Sequence, residues 1–204
     1  MARGKVEVLQ STTSKSSGAI EELITFSQQD SSGRSINSER ALYVTAFVGK
    51  SCLKRTLMDT GVYINVILAS TLKAMGVPKE KIVPRPITIY GINAQQQDTL
   101  GYVNIEVKVG PIKSRASFHV LDGAASYHVI LGRAWLHAHK AVASTYHQCV
   151  KVTWKGKEVT IPATSTPFDE SEAYFFETSQ CEDLAPFGEN SIKAMKATSL
   201  SKWE

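Results

Sequence analysis

Cysteine is scarce in this chain. The three present among 204 residues, Cys52, Cys149 and Cys181, are odd in number and far apart, which excludes a disulfide framework and a tetrahedral zinc site and leaves reduced thiols as the expectation. Long apolar runs are missing too, so no segment is expected to cross a bilayer. The residues after Met1-Ala2-Arg3-Gly4-Lys5 are polar and lack the core of a secretory signal, and an intracellular, cytoplasmic location follows as an expectation. Aromatic residues make up only 8% of the chain, and Lys50, Lys54, Arg55, Lys79, Lys81, Arg85 and Lys108 are scattered rather than interleaved with rings. That pattern fits a solvated basic face and argues against a surface that stacks nucleic-acid bases. Internal repeats, a Cys/His zinc knuckle and any polymerase or nuclease signature are absent. His137 and His139 are two apart and do not share a helix face; His147 and Cys149 have no second pair to complete a metal site, so no metal is expected.

What is present is a soluble, globular composition, 43% hydrophobic with 13 glycines and 7 prolines, enough for one core with flanking segments. Charge is uneven along the chain. Lys plus Arg against Asp plus Glu stands at 5 to 5 for residues 1–40, 15 to 6 for 41–162 and 3 to 8 for 163–204. Residues 1–40, rich in Ser, Gln, Asn and Thr, read as a mostly disordered polar linker with at most a helical turn around residues 20–26. Residues 41–162 read as the folded domain. Residues 163–204 read as a mostly disordered acidic tail, with Tyr174-Phe175-Phe176 as a docking patch and a short helix near residues 192–196.

Within the domain the text is strand-like. Residues 42–48 and 52–58 flank Gly49-Lys50 and form a hairpin that ends at Asp59. Residues 69–78 hold helix formers with Gly76 and Pro78 at the stop. Residues 87–91 and 101–109 alternate around a Gln-rich tip, a candidate flap. Residues 116–121 and 129–131 supply further strands, 133–139 a short helix, and 149–154 with 158–161 a closing hairpin. The fold class expected is all-β with one or two short helices.

Two motifs carry chemistry. Asp59-Thr60-Gly61 sets a carboxylate on a tight turn between two apolar runs, and about seventy residues later Ile130-Leu131-Gly132-Arg133 places a Gly after buried apolar residues at the mouth of a helix. This pair, in this order and spacing, resembles the retropepsin-like aspartic proteases. The wording of residues 127–136 and 144–151 is similar to the protease segment of plant gypsy-type LTR retrotransposon polyproteins. The resemblance spans about residues 41–162 and implies a single-lobe acid-protease β-barrel.

It further implies that Asp59 is catalytic and that Thr60 and Gly61 support the catalytic loop. Val62, Tyr90, Gly91, Ile92 and Gly101 would line the substrate site or the flap, and Ile130, Leu131, Gly132 and Arg133 would form the structural motif behind the loop. Hydrolysis of this kind needs two carboxylates sharing one proton. A chain with one such triad therefore implies a homodimer with Asp59 opposite Asp59, acting on a polypeptide, possibly its parent polyprotein, with no cofactor. This chain departs from the family at Val62, where a small residue is usual, and at Tyr63, where retroviral members hold an acid that pairs with the position of Arg133. Val62 offers no hydroxyl to an ionised carboxylate, so any activity is expected to reach toward neutral pH. The alternative left open is a catalytically inactive dimerisation or peptide-binding module derived from a retroelement.

Overall fold

A computed structural model describes residues 23–31, 38–91 and 94–168, together with the backbone of Phe176–Glu177. Strand β1 (Tyr43–Val48) turns at Gly49 into β2 (Ser51–Met58), and β3 (Asn65–Leu68) leads directly into helix α1 (Ala69–Ala74). A short ribbon, β4 (Thr88–Tyr90) and β5 (Gln96–Asp98), precedes the long hairpin of β6 (Gly101–Val109) and β7 (Ile112–Leu121). Then come β8 (Val129–Leu131), helix α2 (Arg133–Ala138), β9 (Val142–Ser144), β10 (Cys149–Trp154), β11 (Lys157–Pro162) and the two-residue β12 (Phe176–Glu177).

Six strands close into a barrel in the order β1, β6, β7, β3, β8, β2, with β2 paired back to β1; β12 adds to the outer edge of β2. The all-β class with two short helices is thus what the chain adopts. Closure follows from the alternation in sequence. Along β6 every second residue, from Gly101 through Val103, Ile105, Val107 and Val109, is buried while those between are turned outward. Val44, Leu53, Val107, Phe118, Leu131 and Trp135 are almost wholly removed from water in the interior, each worth roughly 1.5–3 kcal/mol of hydrophobic stabilisation.

Strand β8 is the element that positions the site. It runs parallel to β2, with Met58 beside Leu131, and antiparallel to β3, with Val66 beside Ile130. All three of its residues are buried, because the strand is covered on both faces. Val129 and Leu131 join the barrel core, whereas Ile130 joins a second apolar cluster with Ile64, Val66, Leu68 and Leu121 on the opposite face.

The hairpin expected as a candidate flap differs from the structure in its second arm. Residues 88–90 pair with the polar 96–98 instead of 101–109, which belong to the barrel. The ribbon's base is closed by Thr99, whose N–H donates to Ile87 O at 2.9 Å while its hydroxyl accepts from Ile87 N–H at 3.0 Å. Strand β6 is held back by burial: its apolar face is needed to seal the core.

A separate three-stranded sheet, β11-β10-β9, carries a feature composition did not signal. Residues 23–31, inside the stretch that reads as linker, lie against it. The Lys151 ammonium, its side chain 4% exposed, meets Asp30 and Glu158 at 2.7 Å each and donates to Thr25 O at 2.6 Å, and Phe26 stacks on His147. Burial alone would lower the Lys151 pKa, but the hydrogen bonds to Asp30 and Glu158 outweigh it and hold the group above its ordinary value. The described part of this segment carries a 3-10 turn at Gln28–Asp30. The expected helix near residues 192–196 and the side chains of Tyr174-Phe175-Phe176 lie outside the described residues. No helix among the described residues is long and apolar enough to cross a membrane.

Candidate active site

Asp59 follows the last residue of β2, and its N–H donates to Leu131 O at 3.1 Å, so the parallel ladder with β8 extends to the carboxylate's own backbone. The side chain is then fixed from within its loop. Gly61 N–H donates to Asp59 Oδ1 at 2.8 Å, and a Cβ at Gly61 would lie a tight 3.2 Å from that oxygen, so the carboxylate would have to give way by a few tenths of an ångström. Asp59 is half-buried, while Thr60 and Gly61 are exposed. The result is a carboxylate oriented on one side by a backbone donor and open to solvent on the other.

The loop is braced by the start of α2. Arg133 N–H donates to Val62 O at 2.8 Å and Ala134 N–H to Tyr63 O at 3.1 Å. These backbone bonds join loop and helix directly, with the Tyr63 side chain 54% exposed. Gly132 shows why the apolar pair must be followed by Gly. A Cβ there would sit 2.1 Å from Ile64 O and 2.6 Å from Val62 O, so no other residue fits without moving the loop. Ile130 and Leu131 pair with β3 and β2, and Gly132 follows them directly beneath the carbonyls of Val62 and Ile64.

Asn65 completes the brace and was not foreseen. Its Oδ1 accepts from Gly132 N–H at 3.2 Å and its Nδ2 donates to Ser117 O at 3.2 Å, tying β3 to β7 and β8. The signal in the sequence was a lone amide within the apolar run 64–68, buried despite its polarity. Tyr127 was likewise missed. Its phenol pKa is pushed up by burial first and then by the charge of Asp59.

The remaining expected residues lie on the Asp59 loop, at the turn of the β4–β5 ribbon and at the start of β6. Val62 is half-buried and packs, like Ile87, Ile89 and Tyr127, against the second apolar cluster. Tyr90, 65% exposed, and Gly91, whose N–H donates to Gln95 O at 2.9 Å, stand at the ribbon's turn. Gly101 sits at the flap's base: its φ is 131° and a Cβ would strike Val83 O at 2.1 Å, so its role is close approach of two backbones. Ile92 lies outside the described residues.

Below the loop, Arg55 and His128 meet at 2.8 Å between Nη2 and Nε2. Burial and then the Arg55 charge depress the His128 pKa to about 4, so the ring is neutral at pH 7. Among the described residues no three His, Cys, Asp or Glu side chains cluster as metal ligands.

No protein-family model matches the chain, and neither does any curated protein. Solved structures do. The retroviral protease-like domain of Ddi1 from Leishmania major is 16% identical, with 68% of this chain and 95% of that one covered at a TM-score of 0.47. A retropepsin-like aspartic protease from Rickettsia conorii is 19% identical over 54% and 90% of the two chains, TM-score 0.43. The EIAV protease, solved with the inhibitor HBY-793, is 19% identical over 54% and 99%, TM-score 0.41. Identities this low leave the chemistry to be argued from the Asp59 loop itself.

Proposed function

We propose that this chain is an aspartic endopeptidase of retrotransposon type, working as a homodimer in which two copies of Asp59 face each other. One carboxylate takes a proton from water while the other gives one to the leaving amine, and the shared proton is what makes two acids at short range affordable. The observation that carries this reading is the Asp59 carboxylate, held at Oδ1 by Gly61 N–H on a loop that is exposed at Thr60 and Tyr63. Strand β9, the last strand of its sheet with Val142 exposed, offers a further edge to a second copy. On this reading residues 41–162 are the catalytic unit, the parent polyprotein of a plant gypsy-type element is the natural substrate, and the work is done in the cytoplasm.

The second reading, an inactive peptide-binding module, is favoured by Val62, which packs into the apolar cluster where a hydroxyl could have supported the carboxylate. A fluorogenic peptide assay on the full chain, with and without pepstatin, separates the two. Pepstatin-sensitive cleavage that disappears in Asp59→Asn supports the protease, and equal signals from both proteins end it. With Val62 in place the activity extends toward neutral pH; a profile confined to strong acid would remove that part of the proposal.

A further inference from the structure

Strand β10 turns Val150 and Val152 into the barrel core, which leaves Lys151 on the other face of the β9–β10–β11 sheet. A lysine there is ordinarily solvated. This one is 4% exposed, with residues 25–30 lying across it and held at three points. The Lys151 ammonium and the Glu158 carboxylate, 2.7 Å apart, share the backbone of Thr25: the ammonium donates to Thr25 O at 2.6 Å, and Glu158 Oε2 accepts Thr25 N–H at 3.0 Å. The Phe26 ring stacks on His147, 5.2 Å between centroids, and lies 5.1 Å from Lys151 Nζ. Asp30 Oδ1 then meets the same ammonium at 2.7 Å.

These contacts define a ligand and a receptor. Position 25 is read through its backbone, position 26 as an aromatic ring and position 30 as a carboxylate, while Gln28 and Gln29 between them are exposed. The segment closes its own turn, since Asp30 Oδ2 accepts Ser27 N–H at 2.6 Å and Asp30 N–H donates to Ser27 O at 3.0 Å. Among the described residues, its hydrogen bonds, ion pair and ring contacts outside itself go to His147, Lys151 and Glu158 alone. Residues 32–37 are the covalent connection between the two halves, so every copy of the chain carries one ligand and one receptor.

We propose that this sheet face is a docking site for a second copy of the chain, whose residues 25–30 replace the resident ones and present the same backbone pair, ring and carboxylate to Glu158, His147 and Lys151. Exchange forfeits no contact, because the two occupants are identical; the entropy of joining two chains is what opposes it. The site is independent of the proteolytic reading, since Asp59 takes no part.

Two full-length variants split the halves between chains. Phe26→Ala with Asp30→Ala keeps the receptor and spoils the ligand, whereas Lys151→Met keeps the ligand and spoils the receptor. In nitrogen-15-labelled Lys151→Met, the Asp30 and Ser31 amides should exchange freely when the protein is alone. Adding the unlabelled double variant should slow them saturably, by at least about tenfold. No slowing at millimolar concentration overturns the exchange. Equal slowing by a double variant that also carries Lys151→Met places the contact elsewhere and overturns the site. A labelled peptide of residues 23–31, added to the full-length double variant, tests the reading without relying on the fold of Lys151→Met. It should bind saturably, and peptides with Phe26→Ala or Asp30→Asn at least about tenfold more weakly. Equal binding of all three peptides overturns the assignment of ring and carboxylate. Introducing Asp59→Asn into every chain should leave these results unchanged; their loss would overturn the independence of this site from the Asp59 loop.

Discussion

Gly132 is the residue on which the catalytic loop's shape turns. Its missing side chain lets two carbonyls approach to distances no Cβ tolerates, and the neighbouring N–H groups of Arg133 and Ala134 then reach the loop. Gly132→Ala should therefore cost at least about 3 kcal/mol and disturb the Asp59 loop, read as a lowered urea midpoint. A near-normal midpoint would show that the loop yields cheaply. His128 gives a second prediction at the same scale. Its folded-state pKa of about 4 lies below its ordinary 6.5, so on acidification the unfolded chain takes up the proton first. Stability is whole above pH 6.5 and drains as pH falls toward 4, by up to roughly 3 kcal/mol. Urea unfolding at pH 7.5 and 4.5 should show the loss, and His128→Gln should flatten it; an unchanged slope in that variant would assign the loss elsewhere. Asp59 and Gly132 were legible in sequence because each sits in a short motif whose chemistry admits few residues. Asn65 and Tyr127 were not, since a single amide or phenol acquires its role only when distant strands bring partners to it.

At the scale of elements, strands with an apolar face were readable and polar ones were not. The alternation of residues 101–109 announces β6, whereas Gln96–Asp98 has no apolar residue to mark it and becomes a strand through pairing with Thr88–Tyr90 alone. The docking of residues 23–31 was hidden for another reason. Lys151, between Val150 and Val152, reads as an outward position, yet it is buried with Asp30 and Glu158 folded over it and the Phe26 ring 5.1 Å away. Removing the ammonium leaves two carboxylates facing each other, with the Thr25 N–H bond to Glu158 and the Phe26–His147 stack as the remaining hold on the segment. Lys151→Ala is expected to release it, so that the Asp30 and Ser31 amides, now bonded to Ser27 O and Gln28 O, exchange hydrogen at the rate of an unprotected chain. Retained protection at those two amides would mean that Phe26 and His147 suffice.

For the whole molecule, the barrel supplies one oriented carboxylate and the proposed chemistry needs two. That mismatch makes a quantitative demand on mixtures of active and inactive chains. If catalysis requires Asp59 from both partners, mixing equal amounts of wild type and Asp59→Asn under conditions of subunit exchange leaves only about a quarter of the dimers with both acids. Activity per wild-type chain should then fall to about half, and further in proportion as more variant is added. A chain that cleaves alone would instead keep its specific activity at every ratio, because the variant would be a bystander. The same experiment run at pH 7 and again near pH 5 separates assembly from His128: the depressed pKa of that ring makes acid weaken the folded barrel, so the folded fraction is measured beside the activity at each pH. A drop in activity at low pH that precedes any drop in folded fraction, measured by near-ultraviolet circular dichroism on the same samples, would place the limit in the Asp59 pair and not in the fold.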